Sequence, residues 1–330
     1  MEKALEQLVK LVGIARFAAE GVTLAEKRRV EYRTLPTRKW LNRCHSQRVP
    51  FTWSINPYRG CEYGCRYCYA RFTHEFLELH DAEAFDTQIF AKDWDPAGFQ
   101  EELKAVKPGH IIGIGTGTDP YQPAEKKFKR TRTLLQEMAG LRDTSIFVTT
   151  KSNLVSRDAD LLKSLSKHNE VRVTVTVTTM EHELARLTEP MAPRPDLRMK
   201  AVAELANAGV AVGVIASPVL PLITDSPENL REVARAAKDA GVTHFGAGVL
   251  FLKPPAARVY MPFIAQHFPQ HLGRYRRSYA SGAYLRGTYP ERIAKLIESI
   301  REEVGIPSRD LKLETPIPLP SAPHSQLALF

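Results

Sequence analysis

The sequence is short of cysteine, of acidic residues and of long apolar runs, and each shortage excludes something. It holds four cysteines in 330 residues. Three of them, Cys61, Cys65 and Cys68, are crowded into the stretch "GCEYGCRYCYAR". Cysteines this close cannot staple distant parts of a chain, which argues against a disulfide framework. No run of about 18 apolar residues occurs, so no membrane span is expected. The uncharged stretch from Gly209 to Thr224 is interrupted by Pro218 and Pro221. Glu2, Glu6, Lys10 and Arg16 break any signal-peptide core at the N-terminus. That segment reads as an amphipathic helix, and a cytoplasmic location is expected. Acidic residues number 37 against 46 Lys and Arg, a net charge of +9. Such a balance permits a polyanionic partner. The 43% of hydrophobic residues is enough to fill a full core.

The middle of the chain alternates. Short Val- and Ile-rich runs, "FTWSIN" (51–56), "HIIGIG" (110–115), "SIFVTT" (145–150), "VRVTVTV" (171–177), "VAVGVIAS" (210–217) and "THFGAGVLF" (243–251), give six strand candidates. Helix-like charged segments separate the later ones. They run from Phe128 to Ala139, in "DADLLKSLSK", in "DLRMKAVAELANAG" up to Gly209, and in "PENLREVARAAKDAG" up to Gly241. Repeated βα units predict a parallel sheet with helical crossovers, either open or closed into a barrel. In both, active residues belong on loops after the C-terminal ends of the strands. Residues 27–59 carry nine Lys or Arg and one acid, Glu31, and read as an extended basic lead-in. The βα rhythm stops near residue 258, where a mixed segment with a helix over 289–305 begins. Pro316, Pro318, Pro320 and Pro323 then mark an extended, mobile tail.

Three thiolates on one loop admit two chemistries. Structural zinc takes four protein ligands, and Cys44, His45, His74 or His80 would have to supply the fourth. An iron–sulfur cluster uses thiolates at one per iron, so three leave one iron of a 4Fe–4S cluster open to a small molecule. Spacing favours the cluster and leaves zinc open.

The motif "CEYGCRYC", with Tyr67 just before the last cysteine, resembles the radical S-adenosylmethionine superfamily. "NPYRGCEYGCRYCYAR", "GTGTDPYQPAEKKFKRTR", "VTTKSNLVSRD" and "TVTTMEHELARLTEPMAPRPDLR", in this order, resemble its spore photoproduct lyase-related branch, the DNA repair photolyase-like proteins. The resemblance implies a partial (β/α)6 barrel over residues 51–257. Residues 1–50 would form an N-terminal helix and the basic lead-in, 258–314 a helical extension and 315–330 a flexible tail. It implies a 4Fe–4S cluster on Cys61, Cys65 and Cys68, and S-adenosylmethionine as cofactor. One electron, from a flavodoxin or ferredoxin, would cleave the sulfonium to a 5′-deoxyadenosyl radical that abstracts a hydrogen atom. Tyr67 matches the aromatic that meets the adenine. Tyr67 and Tyr69 together match a pair that returns a hydrogen atom, though Tyr69 serves equally as a packed aromatic. Thr118 and Asp119 match the methionyl site, and Lys151 a carboxylate-binding lysine. Thr178 and Ser217, at the ends of later strands, complete the cofactor set; either would serve as well in capping a turn.

One position departs from the lyases. They place a hydrogen-donating cysteine three residues before an Asp-Pro, and here that residue is Thr116. A hydroxyl O–H is too strong to donate a hydrogen atom as a thiol does. The only other thiol, Cys44, is in the lead-in. In "GIGTG", Thr118 stands where a dinucleotide loop needs its third glycine. Glu189 and Arg198 could pair over the cofactor. The stretch 274–289 interleaves four Arg with four Tyr and has no acid. Arg274, Arg276 and Arg277 could grip phosphates while the tyrosines stack on bases; the alternative is a helix pair with Tyr inside and Arg outside. At the C-terminus, Gln326, Leu327, Leu329 and Phe330 of "QLALF" resemble the pentapeptide that docks on the bacterial DNA sliding clamp. The alternative is a hydrophobic latch on the chain's own barrel. The expected function is a lyase-like radical enzyme acting on damaged or modified DNA. The rivals are the same chemistry on a peptide or small molecule, and a non-catalytic zinc module that binds nucleic acid.

Overall fold

The computed structural model describes residues 11–307, apart from residues 22, 28, 29, 38, 47, 48 and 286. Its strands, in chain order, are β1 (Thr23–Lys27), β2 (Val30–Leu35), β3 (Leu41–Arg43), β4 (Trp53–Ile55), β5 (Tyr58–Arg59) and β6 (Gln88–Lys92). They continue as β7 (Ile111–Ile114), β8 (Ser145–Thr150), β9 (Glu170–Thr176), β10 (Ala211–Val219) and β11 (His244–Val249). Among the described residues they form two sheets. The larger runs β3-β4-β7-β8-β9-β10-β11. Its six strands from β4 to β11 are parallel, and β3 adds antiparallel at one edge. These six are the six read from the sequence. With β3 and β11 as its two edges, the sheet does not close, which makes it a partial barrel.

Strand alternation explains its two faces. In β8 the buried positions are every second residue, Ile146, Val148 and Thr150; in β9 they alternate as Val171, Val173 and Val175 until Thr176, which is buried too. β-branched side chains suit this half-buried pleat. That face packs against helices that include Pro195–Asn207, Pro227–Asp239 and Tyr289–Val304, whose apolar stripes fill the main core. The other face carries Phe147, Arg172, Thr174 and His244, all partly buried. It lines the inner side of the open barrel.

Sequence patterning left three regions incomplete. The basic lead-in is not simply extended. β2 pairs in parallel with β6, β5 closes the other side of β6, and β3 joins the large sheet. Its alternating apolar residues are few, and its partners lie dozens of residues away. The helix expected from Phe128 to Ala139 breaks at Lys129, which has a φ of 53°. The buried Glu125 carboxylate causes this, since it accepts from the Thr131 and Arg132 amides at 2.8 and 3.1 Å and starts a new helix. The helical extension read from about residue 258 starts a few residues earlier and holds two helices before Tyr289–Val304, namely Pro254–His267 and Pro269–Ser278. They pack over the cysteine loop through Tyr260, Phe263, Ile264 and Tyr275.

His74, one candidate for a fourth metal ligand, is committed to this framework. It is buried, with Nε2 3.0 Å from the Gln88 carbonyl oxygen and its ring against Phe85 and Phe90. Burial, with Arg59 and Arg71 nearby, pulls its pKa down to about 4. Above the unfolded value of about 6.5 the ring is neutral in both states. Below it the unfolded chain gains a proton that the folded one refuses until about pH 4, so stability falls with pH across that window. The difference approaches about 3 kcal/mol at its lower end, at about 1.4 kcal/mol per pKa unit. Urea midpoints measured from pH 7 to 4.5 should fall less steeply for His74→Gln, which keeps a donor for Gln88.

Candidate radical site at the open end of the barrel

The structure gathers the candidates at one end. The cysteine loop follows β4, Thr116 to Asp119 follow β7, Lys151 follows β8, Thr178 follows β9 and Ser217 lies near the end of β10. All are on the C-terminal side of the parallel strands. Cys44 is elsewhere: its amide bonds the Thr52 carbonyl at 3.0 Å, before β4 begins.

The cysteine loop is held by its backbone. Gly60 turns the chain at a φ of 79°, and a Cβ there would lie 2.7 Å from the Gln88 carbonyl oxygen. The Gly60 carbonyl accepts from Thr118 Oγ1 at 2.5 Å and Gln122 Nε2 at 2.9 Å, while Gln122 Oε1 takes the Glu62 amide at 3.0 Å. Further along, the Arg71 guanidinium reaches the Cys65 carbonyl at 3.1 Å and Asp86 at 2.8 Å. The Arg66 amide bonds the Thr188 carbonyl at 2.9 Å. Gln122 and Arg71 escaped sequence reading. Both lie inside matched motifs, but nothing in their spacing shows that they grip another segment.

Thr118 and Asp119 are therefore built into the scaffold. Asp119 is buried and accepts from Thr150 Oγ1 at 2.6 Å and from the amides of Lys151 and Tyr121 at 2.7 and 2.9 Å. It pins the end of β8, so it sets the origin of the Lys151 side chain. Burial raises its pKa, and these three donors oppose the rise.

The charged centre lies beside the thiols. Glu189 and Arg198 do pair, at 2.5 Å, with about 1% of either side chain exposed. Glu189 also accepts from Tyr67 and, at 3.3 Å, from Thr178. Arg198 spends its other donors on the Pro193 and Thr176 carbonyls at 2.7 and 3.0 Å. Burial pushes the Glu189 pKa up, but Arg198 and Lys151 outweigh it and the carboxyl stays ionised. The Lys151 ammonium lies 5.6 Å from the centre of the Tyr67 ring. Burial works against its charge, yet Cys65 and Glu189 hold its pKa above the ordinary value. Among the described residues no carboxylate pairs with it directly, which leaves a cation able to take a ligand carboxylate. Tyr69 is 42% exposed and donates to the Thr116 carbonyl, while the Thr116 hydroxyl accepts from Asn56 at 3.0 Å. Asn56 is another residue the sequence reading missed.

The donor set fits a cluster better than a closed zinc site. Cys61, Cys65 and Cys68 are free thiols, and burial is the largest effect raising the pKa of each. Thiolates in such a place need a bound cation. Among the described residues, no three His, Cys, Asp or Glu side chains converge on a single ion. A cubane instead asks each thiolate to reach a different iron. His74 is occupied, His80 is exposed beside Glu78, and Cys44 is at the other end of the strand with the exposed His45 next to it in the chain, so no fourth ligand presents itself among the four.

Three buried or half-buried thiols on one loop at the C-terminal end of a partial parallel barrel mark a class of protein. Residues 55–234 match the family model of the Radical SAM superfamily, and the chain belongs to that superfamily. An uncharacterized protein of Mycobacterium tuberculosis is 35% identical over 263 residues, covering 77% of this chain and 76% of that one. An uncharacterized protein of Methanocaldococcus jannaschii is 30% identical over 219 residues, 66% of this chain and 76% of that one. Among solved structures, spore photoproduct lyase complexed with dinucleoside spore photoproduct aligns at a TM-score of 0.61. It is 14% identical, with 92% of this chain and 91% of that one covered, a likeness of fold. A variant of the same lyase with bound S-adenosylmethionine aligns at 0.60. The family uses a 4Fe–4S cluster and S-adenosylmethionine. When bound they supply one-electron cleavage of the sulfonium; the protein holds, orients and keeps the site dry.

After anaerobic reconstitution, iron and sulfide should approach about four each per chain, as a 4Fe–4S cluster requires. Cys61→Ala, Cys65→Ala or Cys68→Ala should lose the visible absorbance, and Cys44→Ala should keep it. Loss of metal in Cys44→Ala alone would restore the four-ligand zinc reading.

Proposed function

We propose that this protein is a radical S-adenosylmethionine enzyme acting on damaged or modified DNA. It cleaves S-adenosylmethionine reductively to a 5′-deoxyadenosyl radical, with Cys61, Cys65 and Cys68 as cluster ligands and Lys151 on the methionyl carboxylate. Thr118 and Asp119 act through position, by holding the cysteine loop and the root of Lys151. Thr178 supports Glu189 from the end of β9, and Ser217 borders the cofactor from β10. Tyr67 and Tyr69 relay the hydrogen atom. Tyr67 is tied to Glu189, whereas Tyr69 is exposed beside Thr116, so Tyr69 is the member of the pair able to meet substrate. A low-potential flavodoxin or ferredoxin supplies the electron.

The observation that carries the DNA reading is a basic face beside the site. Arg274, Arg276 and Arg277 are exposed on the helix Pro269–Ser278, and among the described residues none of them is ion-paired. The same helix turns Tyr275 inward, where its hydroxyl donates to the Pro221 carbonyl at 2.6 Å, on the loop after β10. Tyr279 likewise bonds the Leu250 carbonyl and Tyr289 the Asp225 carboxylate, so these three tyrosines are structural and do not stack on bases. With Tyr275 turned inward and the three arginines exposed, the helix presents a cationic surface to solvent, which supports the reading. Association with DNA should weaken steeply with salt, because neutralised phosphates release counterions. Replacing the three arginines by Ala should reduce the slope of log K against log salt by about 0.9 for each duplex phosphate that is no longer neutralised. An unchanged slope would remove this face from the reading. 5′-Deoxyadenosine formation, measured anaerobically with and without damaged DNA, tests the substrate itself.

The clamp-like residues Gln326, Leu327, Leu329 and Phe330 lie outside the described residues. Their sequence supports a second partner, the bacterial sliding clamp, with Leu329 and Phe330 as apolar anchors and Gln326 at the rim. A peptide of residues 321–330 should bind purified clamp with about micromolar affinity, given so few anchors. Leu329→Ala with Phe330→Ala should abolish it. A cytoplasmic location follows from this reading; among the described residues no helix is long and apolar enough to cross a membrane.

A further inference from the structure

The described large apolar side chains that remain exposed are few, and most of them border the open barrel end. Met191 lies between β9 and the helix Pro195–Asn207, Leu222 follows β10, Tyr69 follows Cys68, and Tyr284 follows the helix Pro269–Ser278. Two of these are aromatic, and a third ring joins them. Phe251, just past β11, lies 6.0 Å from the Tyr69 ring and 4.3 Å from the Tyr284 ring, the latter pair nearly parallel at 27°. The three rings form a continuous ledge that starts next to Cys68, because Tyr69 is its neighbour in the chain. The ledge is anchored from beneath. Leu250 and Leu252 point into the core shared with Cys61, Cys65 and Tyr67. The Leu252 amide bonds the Ala283 carbonyl at 2.9 Å, which fixes the segment bearing Tyr284 against β11. The Tyr279 hydroxyl bonds the Leu250 carbonyl, also at 2.9 Å. Tyr284 nonetheless keeps 46% of its surface in solvent.

Cations frame the ledge. The Lys253 ammonium lies 3.3 Å from the centre of the Phe72 ring and 5.9 Å from that of Phe251. The nearby carboxylate, Glu75, is taken by Arg258 at 2.7 Å. The exposed Arg274, Arg276 and Arg277 of the helix Pro269–Ser278 precede Tyr284 in the chain. An apolar peptide would need a groove and gain nothing from a cation at its edge. A stacked pair, Phe251 and Tyr284, with Tyr69 tilted at 49° to Phe251 and positive charge alongside, suits a planar group attached to a phosphate chain. We propose that Tyr69, Phe251 and Tyr284, with Lys253 at their edge, form a stacking ledge that receives an unstacked nucleobase next to the radical site. This rests on the nucleic-acid reading above and names the residues that would hold the strand once a base has left its stack.

The test compares two single strands of equal length and equal phosphate number, oligothymidylate and a strand of abasic tetrahydrofuran units, binding to the purified full-length protein. The ledge predicts that the base-bearing strand binds on the order of tenfold more tightly, within the range for stacking of bases on aromatic side chains. Phe251→Leu combined with Tyr284→Ala should erase that preference while leaving the abasic affinity unchanged, and Tyr284→Phe should retain it. The double variant keeps apolar volume at 251, and its melting temperature beside that of the wild type shows whether it is folded. Should it be misfolded, Tyr284→Ala alone carries the test, since that ring is partly in solvent. If the wild type binds both strands equally, or the folded variants keep the preference, the ledge is wrong and the nucleic-acid reading stands. If the wild type binds neither strand, that reading falls and the ledge with it.

Discussion

The Glu189 carboxylate is the interaction on which the site depends. It joins four separate parts of the chain: Tyr67 from the cysteine loop, Thr178 from the end of β9, Arg198 from the helix after it, and the field of Lys151 from the end of β8. A carboxylate and a guanidinium this deeply buried carry a large desolvation penalty, and they are tolerated because Arg198 is also satisfied by two carbonyls. An apolar pair of the same volume could be as stable. What the ion pair adds is direction, since each bond requires one placement of one loop. We read it as a specificity device that orients Tyr67 and keeps Lys151 turned toward the thiols.

Around that centre the loops are organised by side chains that reach backbone. Thr118, Gln122 and Arg71 grip carbonyls and amides of the cysteine loop, and Asp119 grips the amide of Lys151. Backbone contacts suit a site whose side chains must remain available to a cofactor. A loop whose shape is set by its main chain leaves Cys61, Cys65 and Cys68 free to ligate. The division of labour explains why Thr118 and Asp119, candidates for direct cofactor contact, are found spending their oxygens on the scaffold.

Thr116 ties the end of β7 to Asn56 and Tyr69. In the position where the resembling lyases carry a hydrogen-donating cysteine, its hydroxyl is held by Asn56 and its carbonyl by Tyr69. Tyr69 thus stands at the boundary between the thiols and the aromatic ledge, with Phe251 and Tyr284 beyond it. The helix Pro269–Ser278 turns Tyr275 inward and leaves Arg274, Arg276 and Arg277 exposed.

What the sequence determined by itself is local. Six parallel strands were legible because β-branched alternation and short apolar runs report pleat and burial directly, as in β8 and β9. The thiol set was legible because three ligands on one short loop need no tertiary information to be neighbours. The helix stops at Gly209 and Gly241 were legible for the same reason, since a cap is a local device. Tertiary structure alone decided the rest. Glu189 meets Tyr67 across 122 residues of chain, Gln122 meets Gly60 across 62, and β2 meets β6 over a similar span. No periodicity encodes such distances. The break at Lys129 was hidden because a buried carboxylate overrode a helical pattern. The inward turn of Tyr275 could not be told from an outward one until Pro221 supplied its acceptor. Composition announces which groups a site can use; only the closing of distant loops decides which of them face the cofactor and which are consumed in holding it together.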